Sequence, residues 1–178
     1  MSSFKKIPLV TAKCSRSLTF NDLVFASETL ELFPEIDNQP KELATYDALS
    51  ELACNLVDPI TEKFGPIKIT YGFAGAELTR RISGRISPKH DQHASCEKNR
   101  LGNYICARKG AAIDFKVADE SSLEIAKWVV KQTAFDRLYF YGPERPIHLS
   151  FGPDHSRQVV TFRRTSVPGR LIPRRVSS

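Results

Sequence analysis

Between residues 43 and 64 the apolar side chains Leu49, Leu52, Ala53, Leu56, Ile60 and Phe64 recur at steps of three and four, and at Gly65-Pro66 that spacing stops. Such steps place side chains on one face of an α-helix, so the stretch predicts a long amphipathic helix that must bury its stripe. Pro59 lacks an amide hydrogen and is expected to kink or split this helix. Gly65 ends it, and Ile67-Lys68-Ile69-Thr70-Tyr71 reads as a strand.

Other signals fill in the order of elements. Residues 1–17 read as an extended arm. Asn21 or Asp22 is expected to cap a helix reaching Phe33, where Pro34 stops it. Residues 35–40 are turn-rich, and 72–85 read as a loop with one short helix. Residues 86–110 are polar and without periodicity, the pattern of a long functional loop. Ala111 to Val117 reads as a buried strand. Ser121-Ser122-Leu123-Glu124 matches a capping box opening an amphipathic helix to about Thr133. Strands are expected at 137–141, 147–151 and 158–162. Helices first, then strands with one helix between them, imply an α+β domain: a mainly antiparallel sheet with flanking helices.

Composition narrows the function classes. The 178 residues suit one domain, and 41% hydrophobic against 26% charged residues allows a buried core. The longest apolar runs are as short as Trp128-Val129-Val130, so no membrane span is expected. No apolar stretch follows Lys5-Lys6, which argues against a secretory signal and for a cytoplasmic protein. Cys14, Cys54, Cys96 and Cys106 are too few to serve as a disulfide scaffold, and Cys54 reads as a small buried apolar residue. Net charge is +6, and residues 163–178 hold Arg163, Arg164, Arg170, Arg174 and Arg175 without an acid. Such a basic tail can bind nucleic acid or another anionic partner; its plainer reading is a solvated tail. No aromatic platform for single strands is evident beside it.

The four histidines carry most of the chemistry: His90, His93, His148 and His155. In strand Ile147-His148-Leu149-Ser150-Phe151, His148 and Ser150 share one face. Alone, a strand histidine is an ordinary half-buried, hydrogen-bonded residue. Asp114 changes this, because it sits among small and apolar residues in Gly110-Ala111-Ala112-Ile113-Asp114-Phe115. A carboxylate there is costly to bury unless it pairs with a cation, either an arginine or a metal. Two imidazoles and one carboxylate leave a fourth position open on zinc, the pattern of a catalytic site. His155, in Gly152-Pro153-Asp154-His155, reads as an exposed turn residue.

The ordered motifs resemble the M15 peptidases, zinc D-Ala-D-Ala carboxypeptidases and related phage endolysins that share the hedgehog/DD-peptidase fold. Their metal motif is roughly Ser-x-His-x-x-Gly-x-Ala-x-Asp, followed downstream by a Trp-x-His strand. Asp91-Gln92-His93, Gly110-Ala111-Ala112-Ile113-Asp114 and Ile147-His148-Leu149-Ser150 are similar to its three parts. Phe20-Asn21-Asp22-Leu23, Ile36-Asp37-Asn38-Gln39-Pro40 and Leu56-Val57-Asp58-Pro59-Ile60 resemble the upstream text, as does Ile69-Thr70-Tyr71-Gly72-Phe73. The resemblance spans residues 18–162. It implies Zn2+ held by His93, Asp114 and His148, and hydrolysis of a peptide bond, with a peptide or peptidoglycan-like substrate.

Three departures go with it. His93 and Gly110 lie further apart than in the family, so 94–109 read as an insertion. Where the family has an arginine in a Ser-Gly-Tyr-Arg run, this chain has Tyr71-Gly72-Phe73-Ala74; Arg80, Arg81 or Arg85 is the available substitute. The family's general base, three residues before the last histidine, falls on Arg145, with Glu144 one residue earlier. The resemblance thus implies Glu144 and Arg81 as catalytic candidates, and equally allows a catalytically weak zinc-binding module that meets an anionic partner. A competing metal set is His90, His93, Cys96 and Cys106, whose thiolates and imidazoles suit a closed structural zinc.

Overall fold

The stripe on residues 43–64 becomes one helical rod with a local change of pitch. Helix α3 (Leu43–Leu52) runs into a π-helical turn at Ala53–Val57 and continues as α4 (Asp58–Phe64). In that turn the Asp58 amide bonds to the Ala53 carbonyl, five residues back. At ordinary pitch the Pro59 ring would clash with the Asn55 carbonyl and offer it no donor; the wider turn accommodates both. The rod is therefore continued, not split. Gly65, at φ 94°, ends it. This computed structural model describes residues 4–25, 28–82, 88–164 and 171–176.

Upstream, the single helix expected to reach Phe33 is two short ones, α1 (Phe20–Val24) and α2 (Glu28–Leu32). Thr19 occupies the cap, and Asp22 reaches back to its amide at 2.7 Å. The arm before it is docked. Asp58, buried in the rod, accepts from Ser15 Oγ, the Arg16 and Ser17 amides and Ser17 Oγ. Cys14 beside it is buried, whereas Cys54 is exposed, contrary to its reading as a core residue.

Six strands form an α+β domain's mostly antiparallel open sheet: β1 (Ile67–Tyr71), β2 (Ala111–Val117), β3 (Arg137–Phe140), β4 (Ile147–Phe151), β5 (Gln158–Arg164) and β6 (Leu171–Val176). Their spatial order is β1-β2-β4-β3-β5-β6, with only β3 and β5 parallel. Short helix α5 (Ala76–Arg81) follows β1, and α6 (Ser122–Gln132), capped by Ser121, precedes β3.

Strand alternation decides what each face carries. Ala111, Ile113, Phe115, Val117, Leu138, Ile147 and Leu149 join the core with Leu49, Leu52, Leu56 and Ile60 of the rod and Ile125 and Val129 of α6. Phe64 meets Trp128 edge to face at 5.6 Å, tying the rod to α6. Each fully buried aliphatic side chain contributes about 1.5–3 kcal/mol. The residues between them, Ala112, Asp114, His148, Ser150 and Tyr139, turn to the opposite face.

One other expectation needs correction. The C-terminal stretch is not simply a solvated tail: residues 171–176 pair with β5 from Val159↔Val176 to Arg164↔Leu171. The free edge of β5 supplies backbone partners that charge patterning does not reveal, and Pro173 and the arginines then sit on an edge strand, where they discourage further pairing. Arg170 lies outside the described residues. The stretch 94–109 is packed in part. Ala94, Ser95, Cys96, Glu97 and Cys106 are buried, and Glu97 accepts from the Lys41 and Glu42 amides and Thr45 Oγ1 at the start of α3. The exposed part is a turn over 98–104 closed by a Lys98–Tyr104 bridge.

Candidate metal centre

The central row of the sheet runs Tyr71, Asp114, His148, Tyr139, Val160, Arg175 across all six strands. Asp114 and His148 are direct cross-strand partners, which brings side chains on one face within reach of each other. His93 reaches the same point from outside the sheet, on a 3₁₀ turn at Gln92–Ala94. Asp91 caps that turn through the His93 amide at 3.1 Å, and the Ala74 amide donates to the His93 carbonyl at 2.9 Å. Gln92 bridges Ser150 Oγ and Asp136, fixing the turn to the sheet.

Three donor atoms converge. His148 Nδ1 lies 2.8 Å from Asp114 Oδ1, His93 Nε2 lies 3.4 Å from that oxygen, and the two imidazole nitrogens are 3.2 Å apart. A tetrahedral ion with bonds of about 2.0–2.1 Å holds its ligands about 3.3 Å apart. The three edges lie within about 0.5 Å of that length, so small side-chain shifts suit the set to a small divalent ion. His93, Asp114 and His148 are the sole such cluster among the described residues.

Orientation supports the same reading. His93 Nδ1 donates to the Gly72 carbonyl at 2.7 Å, which turns Nε2 to the centre, where a neutral ring presents a lone pair to a metal and a protonated ring a hydrogen bond to Asp114. Gly72 has to be glycine: a Cβ there would stand 2.0 Å from the Leu23 carbonyl oxygen, which already accepts the Phe73 amide. Tyr71 meets the His93 ring edge to face at 4.5 Å, and Tyr139 stacks on His148 at 4.6 Å. His93 and His148 are 3% and 6% exposed, while Asp114 remains 30% open to solvent on its side chain. Burial resists ionisation of Asp114, but the charge of His93 and the hydrogen bonds from both imidazoles outweigh it and hold the carboxyl well below its usual range. The site is thus an ionised carboxylate between two oriented imidazoles, with one open side.

The ligand trio expected from sequence is brought together; neither catalytic candidate hydrogen-bonds to it among the described residues. Glu144 sits exposed in the β3–β4 turn. Arg81, at the end of α5, is exposed with its guanidinium 5.1 Å from the Phe33 ring centre. Arg80 is exposed on the same helix, and Arg85 lies outside the described residues. The competing His90, His93, Cys96 and Cys106 set is not assembled: His90 is exposed, His93 turns to Gly72 and His148, and burial pushes both thiols up. His155 is exposed, as read from its turn.

Sequence reading missed the two tyrosine walls and the Gly72 carbonyl. Tyr71 and Tyr139 carry no motif signal, and only strand register places them beside the ligands. No protein-family model, no curated protein and no solved structure matches this chain.

Proposed function

We propose that this chain is a zinc-dependent hydrolase of M15 peptidase type, with a hedgehog/DD-peptidase-like fold, acting on a peptide bond such as those of peptidoglycan peptides. One observation carries the reading: the buried triangle of His93 Nε2, Asp114 Oδ1 and His148 Nδ1, sized for a tetrahedral ion and open on one side. Zinc, when bound there, supplies Lewis acidity and an activated water. The chain's own part is orientation. Gly72 fixes the His93 tautomer, Asp114 brings negative charge to the site, and Tyr71 and Tyr139 wall the imidazoles from solvent.

A second reading is a zinc-binding module of the same fold that turns over poorly and meets an anionic partner. It is favoured by the exposure of Glu144 and Arg81, neither of which hydrogen-bonds to the triad among the described residues. Zinc-loaded protein incubated with purified cell walls and with peptides ending in D-Ala-D-Ala separates the two. Cleavage that stops with chelator and in His148→Ala supports the hydrolase. Stoichiometric zinc without cleavage supports the module. In the hydrolase case Glu144→Gln should keep zinc and lose turnover; unchanged turnover removes Glu144 from the mechanism.

A further inference from the structure

The sheet face that carries the triad also carries a second pattern, although its central residues Ala112, Ser150 and Val160 are buried. By alternation and register, Lys68 and its partner Lys116, Arg137, and Arg175 all lie on this face. Asp114 is the one acidic strand residue among the described residues there. Lys68 and Arg175 are exposed, and Lys116 and Arg137 half-buried. Arg137 donates through Nη1 to Gln158, while its Nε is buried with no hydrogen-bond partner among the described residues. The same face carries an aromatic cluster at β3 and β5, next to the strand of Arg175 and across β4 from Lys68 and Lys116. Tyr141 and Phe162 stack at 4.5 Å with 17° between their planes, and Phe162 meets Tyr139 edge to face at 6.1 Å. All three rings are half-buried, so each keeps part of its surface open to solvent.

Cations alone attract any polyanion, and aromatic rings alone attract any apolar group. Together on one surface they match a chain that alternates phosphate charge with flat, stackable bases. A duplex keeps its bases stacked on each other and cannot offer them to the rings. An acidic peptide supplies the charge and leaves the rings unused. We propose that this face binds single-stranded nucleic acid, with bases on the Tyr139, Tyr141 and Phe162 cluster and phosphates on Lys68, Lys116 and Arg175. Arg175 belongs to the basic C-terminal stretch, so strand β6 is what turns that stretch from a loose charge into part of a surface. The proposal goes beyond the metal reading and does not depend on turnover.

The test titrates full-length protein into a fluorescent oligothymidylate of about 20 nucleotides at low salt and reads anisotropy. Expected results are saturable binding, a duplex of equal length bound at least about tenfold more weakly, and binding retained in chelator. Tyr141→Ala and Phe162→Ala should each weaken binding about tenfold. Arg175→Glu and Lys68→Glu, surface changes that leave the melting temperature and zinc content unaltered, should each weaken binding and flatten the logarithmic salt slope by about 0.7. The proposal is overturned by an absence of binding at low salt, by a labelled polyglutamate or the duplex binding as tightly, by indifference to the Arg175 and Lys68 variants, or by loss in chelator, which would place the phosphates on the metal instead.

Discussion

At the scale of single residues the account rests on orientation more than on ligand identity. Gly72→Ala keeps every ligand yet pushes a methyl into the Leu23 carbonyl, displacing the oxygen that fixes His93. It should cost at least about 1–3 kcal/mol of stability and weaken metal binding, both readable from denaturation with and without zinc. Asp58 offers a separate check. Burial opposes its charge, but hydrogen bonds from Ser17, Arg16 and Ser15 prevail and lower its pKa. A carboxyl depressed in the folded state contributes stability above its unfolded pKa, and that contribution fades as pH falls through the folded value. Wild type should therefore lose stability below about pH 4 more steeply than Asp58→Asn, whose pH-independent deficit at neutrality should be about 1–3 kcal/mol. The ligands were legible in the sequence because Asp114 and His148 are anomalous in apolar strands. Tyr71, Tyr139 and the Gly72 carbonyl were not, because their roles exist only once strands pair and β1 meets the turn at Gln92–Ala94.

Elements follow a similar division. Strands β1 and β2 and helix α6 agree with their sequence readings because alternation, a capping serine and a terminal glycine act locally. Sequence predicts one helix up to Phe33 where there are two, and within the irregular 94–109 stretch Ala94, Ser95, Cys96, Glu97 and Cys106 are packed. In both places tertiary contacts decide the outcome. Glu97 is the clearest case: a polar residue in an apparently irregular stretch that caps α3 from a distance. Glu97→Ala leaves the Lys41 and Glu42 amides and Thr45 hydroxyl without that acceptor. It should destabilise the fold by about 1–2 kcal/mol in urea denaturation, with little effect on zinc affinity. The π-turn makes the converse point, since Pro59 signalled a disturbance in the rod while its form depended on packing along both flanks.

For the whole molecule, the sheet divides labour between its faces. One face is sealed by the rod and α6, and the other holds the triad, the aromatic cluster and the cations. The edge strand β6 completes that second face. Truncation after Arg164 should bare the β5 edge and promote association, seen as concentration-dependent light scattering, while zinc content stays unchanged. Because a metal that binds only the folded state stabilises it by mass action, zinc at about a thousand times its dissociation constant should add about 4 kcal/mol. The most direct measurement is calorimetric titration of chelator-stripped protein with zinc, alongside His93→Ala, Asp114→Ala and His148→Ala. The account predicts one ion per chain for wild type and a loss of at least about a hundredfold in affinity in each variant. Wild-type binding that survives undiminished in His148→Ala, or no binding at all, would contradict it.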